Sequence, residues 1–182
     1  LDNINQNTTI EYKEEGDFIV ALGAINGSLG GSEYLRTIHN KVQGPIPHLN
    51  IDLEKGVQEL CLNAIKENLI KSAHDLSDGG LAINICESLV QSKKGIGVEI
   101  NFNRKLRNDE LLFGECQSVI IVTVEESALY DLVLLAQNLD VYTQTIGRVN
   151  SSNKLVINEL VNLDREIVEN ALFNSLHKIM DK

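Results

Sequence analysis

Ser118-Val119-Ile120-Ile121-Val122-Thr123-Val124 decides the fold class. The run is apolar and β-branched almost throughout, the composition of a strand. Its continuity, with no polar residue at every second place, suits a strand covered on both faces. Downstream, residues 127–139 carry a helical pattern and residues 141–149 a second strand, so 119–149 reads as a strand–helix–strand crossover unit. Upstream, Phe18-Ile19-Val20-Ala21-Leu22-Gly23 is another compact apolar run of buried-strand length.

Further helices are expected over 33–39, 52–68, 81–91 and 164–180, with short turns over 108–113. The 52–68 segment places Leu53, Val57, Leu60, Cys61, Ala64 and Ile65 on one face, with Asp52 as its expected N-cap. Short strands are expected at 71–74 and 97–102, the latter with alternating burial, and an edge strand at 154–157. Leu163 and Asp164 are placed at the start of the last helix, and Gly44-Pro45-Ile46-Pro47 is extended. The order predicts an α/β (α+β) fold, a mixed β-sheet sandwiched by helices. Residues 1–15, rich in Asn, Thr and Glu, read as a linker or domain boundary, and 16–182 as a single domain.

The chain has 182 residues, 16 Lys plus Arg against 26 Asp plus Glu, and a formal net charge of −10. Such a surface repels nucleic-acid phosphates and anionic lipid, so neither nucleic acid nor membrane is an expected partner. A local ring of backbone amides is still able to bind a small anion. Cys61, Cys86 and Cys116 show no CxxC spacing, which points to reduced thiols and a cytoplasmic setting rather than disulfides or zinc. No apolar run reaches transmembrane length, and the first fifteen residues lack a signal-peptide pattern. Leu1 in place of an initiator Met suggests a chain excised from something longer.

Two loops concentrate residues that could carry chemistry. Gly27-Ser28-Leu29-Gly30-Gly31-Ser32-Glu33 follows a strand and opens a helix, an arrangement that suits a phosphate on free amides and equally an ordinary turn with Ser32 as N-cap. His74-Asp75-Leu76-Ser77-Asp78-Gly79-Gly80 gathers two carboxylates, a hydroxyl, an imidazole and two glycines. Asp75 and Asp78 suit magnesium held jointly with substrate phosphates, or else Ser77 or Asp78 simply caps the next helix. His39, His48 and His177 share no spacing and are expected at the surface or at helix ends. Cys116 lacks the local His partner of a nucleophile, and Asp109, Glu110, Glu125 and Glu126 read as a solvated face.

Four segments, Leu29-Gly30-Gly31-Ser32-Glu33-Tyr34-Leu35, Lys71-Ser72-Ala73-His74-Asp75-Leu76-Ser77-Asp78-Gly79-Gly80-Leu81-Ala82, Leu112-Phe113-Gly114-Glu115 and Ile146-Gly147-Arg148-Val149, occur in that order. Together they resemble the C-terminal domain of the phosphoribosylformylglycinamidine synthases, within the aminoimidazole ribonucleotide (AIR) synthase-related superfamily. The resemblance covers residues 12–149 and fades over the last thirty. It implies an α/β sandwich of ferredoxin-like character. It also implies a purine-biosynthetic ligase in which ATP and Mg2+ activate an amide oxygen as an iminophosphate that glutamine-derived ammonia displaces. In that family most catalytic and magnesium-binding side chains lie on N-terminal domains. The resemblance therefore implies ligand contacts only, at Gly30, Gly31, Ser32, His74, Asp75, Ser77, Asp78, Gly79 and Gly80, and no catalytic or metal-ligating residue of its own. Expected partners are the N-terminal domains of the same chain and a glutaminase subunit or domain. An isolated fragment would be inactive and able to form a homodimer. Cys116 departs from the family's usual Ser. The alternatives are a non-catalytic binding or assembly module of the same fold, or a sister ATP-dependent enzyme of the superfamily.

Overall fold

The computed structural model describes residues 7–102, 105–174 and 180. Among them the order runs β1 (Phe18–Leu22), α1 (Glu33–His39), α2 (Ile51–Lys66), β2 (Ser72–Asp75), α3 (Gly80–Gln91), β3 (Gly97–Ile100), α4 (Asn108–Phe113), β4 (Ile120–Val124), α5 (Leu129–Asn138), β5 (Thr143–Asn150), β6 (Lys154–Ile157), β7 (Val161–Asp164) and α6 (Arg165–Phe173). The strands form one sheet in the order β2-β4-β1-β5-β3-β6-β7.

The two apolar runs become neighbours at the sheet centre, where β1 pairs antiparallel with β4 from Phe18↔Val124 to Leu22↔Ile120. Because successive side chains of a strand face opposite ways, each run feeds two cores. Ile19, Ala21 and Ile121 point to one face, with Leu81, Ile85 and Leu89 of α3, Leu111 and Leu112 of α4 and Val168 of α6. Val20, Leu22, Val122 and Val124 point to the other, with Val57, Leu60, Cys61 and Ala64 of α2 and Leu132 and Ala136 of α5. This double burial is why neither run alternates.

β1 is antiparallel to both β4 and β5 and lies between them. Strands β4 and β5 therefore run the same way with a third strand interposed, so the crossover over 119–149 is a split one. Read as β1-α2-β2-β4-α5-β5, the all-antiparallel order β2-β4-β1-β5 is the ferredoxin-like arrangement. The sheet is mixed because β6 adds parallel to β3 and then pairs antiparallel with β7.

Several local expectations shift. β6 is interior, and β7 is the edge, formed where the last helix was expected to begin. Asn158 (φ 47°) lets the chain reverse after Ile157, and Asp164 then serves as N-cap of α6. The rest of the expected 164–180 helix, residues 175–179, lies outside the described residues. Asn50, not Asp52, caps α2, its Oδ1 accepting from the N–H groups of Asp52 and Leu53, both at 3.1 Å. The expected tether is packed where it is described. Thr9 bridges Ser72, and Tyr12 is 2% exposed with its N–H donating to Ser92 Oγ at 2.8 Å.

Arg165, only 3% exposed, aims its guanidinium at the backbone carbonyls of Val90, Ser92 and Lys93. These carbonyls lie at the C-terminal end of α3, where a cation is favoured, so α6 is tied to α3.

Replacing fully buried Leu132 leaves a cavity between α5 and the sheet. Leu132→Ala is expected to cost ~2–5 kcal/mol in urea denaturation. A loss under about 1 kcal/mol would show that this face is loosely packed.

Candidate functional site

The antiparallel register gathers three chain segments at one end of the sheet. Leu22 closes β1 and Asp75 closes β2, and both lie opposite Ile120 at the start of β4. The segments after β1, after β2 and before β4 therefore converge.

Their contact is backbone on backbone. A Cβ on Gly80 (φ 67°) would stand 2.7 Å from Gly114 O, and one on Gly114 2.5 Å from Gly27 Cα. One on Gly30 would stand 1.8 Å from Pro45 O, so the first glycine loop is wedged against the extended Gly44-Pro45 segment. Only glycine fits these approaches.

Most of the amides that looked free are taken internally. Gly31 N–H donates to Gln43 O at 3.0 Å, Ser32 N–H to Leu29 O at 3.1 Å and Gly80 N–H to Ser77 O at 3.1 Å. Glu33 N–H and Gly79 N–H both donate to one oxygen, Oε1 of Glu115, each at 2.9 Å. Ser32 is the N-cap of α1, its Oγ accepting from Leu35 N–H at 3.3 Å. Neither Ser77 nor Asp78 caps α3. Gly79 stands at the cap (φ 79°) and Glu115 supplies the acceptor.

The second loop is fixed at both ends. Leu76 N–H donates to Val119 O at 2.9 Å. Asn84, 2% exposed on α3, donates from Nδ2 to Asp75 O at 2.7 Å. The loop thus borders a cavity of about 430 Å³ lined by Asp75, Leu76, Ser77 and Asp78, by Glu54, Val57 and Gln58 of α2, and by residues 115–120. Its charged side chains are Glu54, Asp75, Asp78 and Glu115, with no Lys or Arg. Such a wall favours hydroxyl and amino donors or a cation over a bare phosphate.

Of the expected contact residues, Asp75, Ser77 and Asp78 face this cavity. Gly79 and Gly80 shape the loop, and Gly30, Gly31 and Ser32 join it only through Glu115. His74 is turned away, Nδ1 lying 3.3 Å from Ser88 Oγ and Nε2 3.4 Å from Glu87 Oε2, both on α3. Among the described residues no group of three His, Cys, Asp or Glu side chains is placed to hold a metal ion. His39 and His48 are exposed, and His177 lies outside the described residues.

Local reading missed Glu54, Gln58, Ser118 and the bridging role of Glu115. Glu115 reaches partners 82 and 36 residues away, and α2 reaches the cavity only by packing on the sheet, so no local signal marks them. Cys116 is buried in the cavity wall, its Sγ accepting from Asn26 N–H at 3.2 Å and Gly27 N–H at 3.4 Å, which ties the start of the first loop to it. Burial, then the charge of Glu87, pushes the Cys86 thiol up to about 11, and burial raises that of Cys61.

Among the described residues, Ser118 (φ 59°) is the one residue other than Gly, Asn or Asp at positive φ, and its Oγ is buried without a partner. Its carbonyl leaves no room for a side chain at Gly23.

A model of the family described as "AIR synthase related protein, C-terminal domain" matches residues 14–158. The chain is 44% identical over 129 residues to the phosphoribosylformylglycinamidine synthase subunit PurL of Alkaliphilus metalliredigens, covering 71% of this chain and 17% of that protein. It is 34% identical over 172 residues to the same subunit of Caldanaerobacter subterraneus, covering 93% of this chain and 23% of that protein. The chain thus spans about a fifth of the length of the curated relatives it matches. Among solved structures, Thermotoga maritima PurL complexed with FGAR superposes with a TM-score of 0.73 at 16% identity, covering 91% of this chain and 30% of that one. At that identity the likeness shows the fold.

Two outcomes test this geometry. Ser118→Gly is expected to melt at or above the wild-type temperature, whereas Ser118→Val should lose ~1–2 kcal/mol, because a β-branched residue resists positive φ. Equal melting of both variants would remove the strain. At pH 7.5 Cys86 in the folded chain should alkylate ~100-fold more slowly than free cysteine, since its thiolate is scarce. Labelling at the free rate would contradict its burial.

Proposed function

This chain belongs to the AIR synthase related protein family, as its C-terminal domain, and from that premise we propose that it is the last domain of a phosphoribosylformylglycinamidine synthase. The complete ligase converts formylglycinamide ribonucleotide, ATP and glutamine-derived ammonia to formylglycinamidine ribonucleotide, ADP and phosphate in purine biosynthesis. The observation that carries this reading is the 44% identity over 129 residues to a protein of that name.

The chain acts as one domain of a longer protein in the cytoplasm, with the segment around Thr9 and Tyr12 packed on it. It packs beside the N-terminal domains that carry the catalytic side chains, with a glutaminase subunit or domain supplying ammonia. This domain contributes ligand contact and shape. Asp75, Ser77 and Asp78 present acceptors to the cavity, suited to the hydroxyl and amino groups of a ribonucleotide. Gly79 and Gly80 shape the loop that borders the cavity, Gly30, Gly31 and Ser32 join it through Glu115, and His74 steadies the loop from α3. Magnesium, which in this family is held mostly by side chains of the N-terminal domains, would spread the negative charge of the transferred phosphoryl group there, and this domain supplies no ligand of its own to it.

The test is phosphate release by the complete synthetase given ATP, magnesium, formylglycinamide ribonucleotide and ammonia. Release that depends on the ribonucleotide is expected, and a folded synthetase without it would leave a binding module or a sister enzyme. Asp78→Asn combined with Gly79→Val should lower kcat/KM by at least about tenfold, because a charge is lost and a β-branched residue resists the positive φ (79°) of the cap. Unchanged kinetics in a folded variant would take this loop out of the site.

A further inference from the structure

Glu115 stands between the two glycine loops without belonging to either. Its Oε1 accepts two hydrogen bonds of 2.9 Å, from Glu33 N–H in the first turn of α1 and from Gly79 N–H at the cap of α3. An amide pair on one carboxylate oxygen is a charge-assisted arrangement, stronger than two neutral bonds. The partial positive ends of both helices also favour a carboxylate there.

These amides are the ones that the sequence offers to a ligand phosphate. With Gly31, Ser32 and Gly80 N–H also taken by protein carbonyls, the loops carry their own anion. Glu115 also lines the cavity that Asp75, Ser77 and Asp78 face.

We propose that Glu115 is a positioning residue: its carboxylate replaces a bound phosphate at the junction of the two loops and locks Ser77 and Asp78 into their cavity-facing placement. This deepens the ligase reading and rests on it for the identity of the ligand. The geometric part stands by itself. Glu115→Gln keeps an oxygen acceptor at the same reach, whereas Glu115→Ala leaves both amides without one. Leu132→Ala, in a core that includes neither Glu115 nor a residue of either glycine loop, serves as a control that lowers stability without touching the loops.

Two measurements decide it. In the 182-residue chain, amide hydrogen exchange of Glu33 and Gly79 should accelerate at least about tenfold in Glu115→Ala and stay near wild type in Glu115→Gln. In the complete synthetase, Glu115→Ala should raise KM for the ribonucleotide or ATP about tenfold, Glu115→Gln should restore most of it, and Leu132→Ala should leave KM unchanged. Unaltered exchange in Glu115→Ala overturns the lock. Equal KM changes in Glu115→Ala and Leu132→Ala reduce Glu115 to a stabilising contact and also overturn the proposal. If the wild-type synthetase releases no phosphate, the ligase reading falls, and the exchange measurement alone still decides whether Glu115 holds the loops.

Discussion

The antiparallel ladder between β1 and β4 is the constraint on which the rest of the molecule depends. Five residue pairs from Phe18↔Val124 to Leu22↔Ile120 join two strands whose side chains enter both cores. Sliding one strand by a single residue would exchange the two faces and strand every apolar side chain on the wrong side. The helices are then placed by what they must cover, with α2 and α5 on one face and α3, α4 and α6 on the other.

That register also makes the candidate site. Because Leu22 and Asp75 both stand opposite Ile120, the segments that leave β1 and β2 meet the one that enters β4. Bare backbone lets them touch, at Gly80 against Gly114 and Gly114 against Gly27. The chain then satisfies its own helix ends with Glu115 rather than leaving them for a ligand. Glycine at these places serves close packing, and the polar side chains that this loop turns to the cavity are Asp75, Ser77 and Asp78. Ser118, strained and holding an unpartnered buried hydroxyl, sits in the same wall. Strain of this kind persists where surrounding structure over-determines a residue, often beside functional sites.

Sequence reading succeeded where the signal is local. The central strands, the face of α2 from Val57 to Ala64 and the N-cap role of Ser32 each follow from residues within one turn or a few positions of each other. It slipped where two local signals competed. Asn50 and Asp52 are both capable caps, and the extended backbone of Asn50 (φ −96°, ψ 107°) decided for it. Val161 to Asp164 looked like the approach to a helix, but β6 offered an unpaired edge and the segment joined the sheet as β7.

The sequence by itself determined the family, the α+β class, the buried central strands and the two loops, because each is written in neighbouring residues. Only the tertiary structure decided which loop residues face a common cavity. His74 and Asp75 are adjacent in the chain, yet strand alternation sends His74 under α3 and Asp75 to the cavity. Glu115, Glu54 and Gln58 come to the same wall from distant segments, because the register of a doubly buried sheet sets distances that local order does not record.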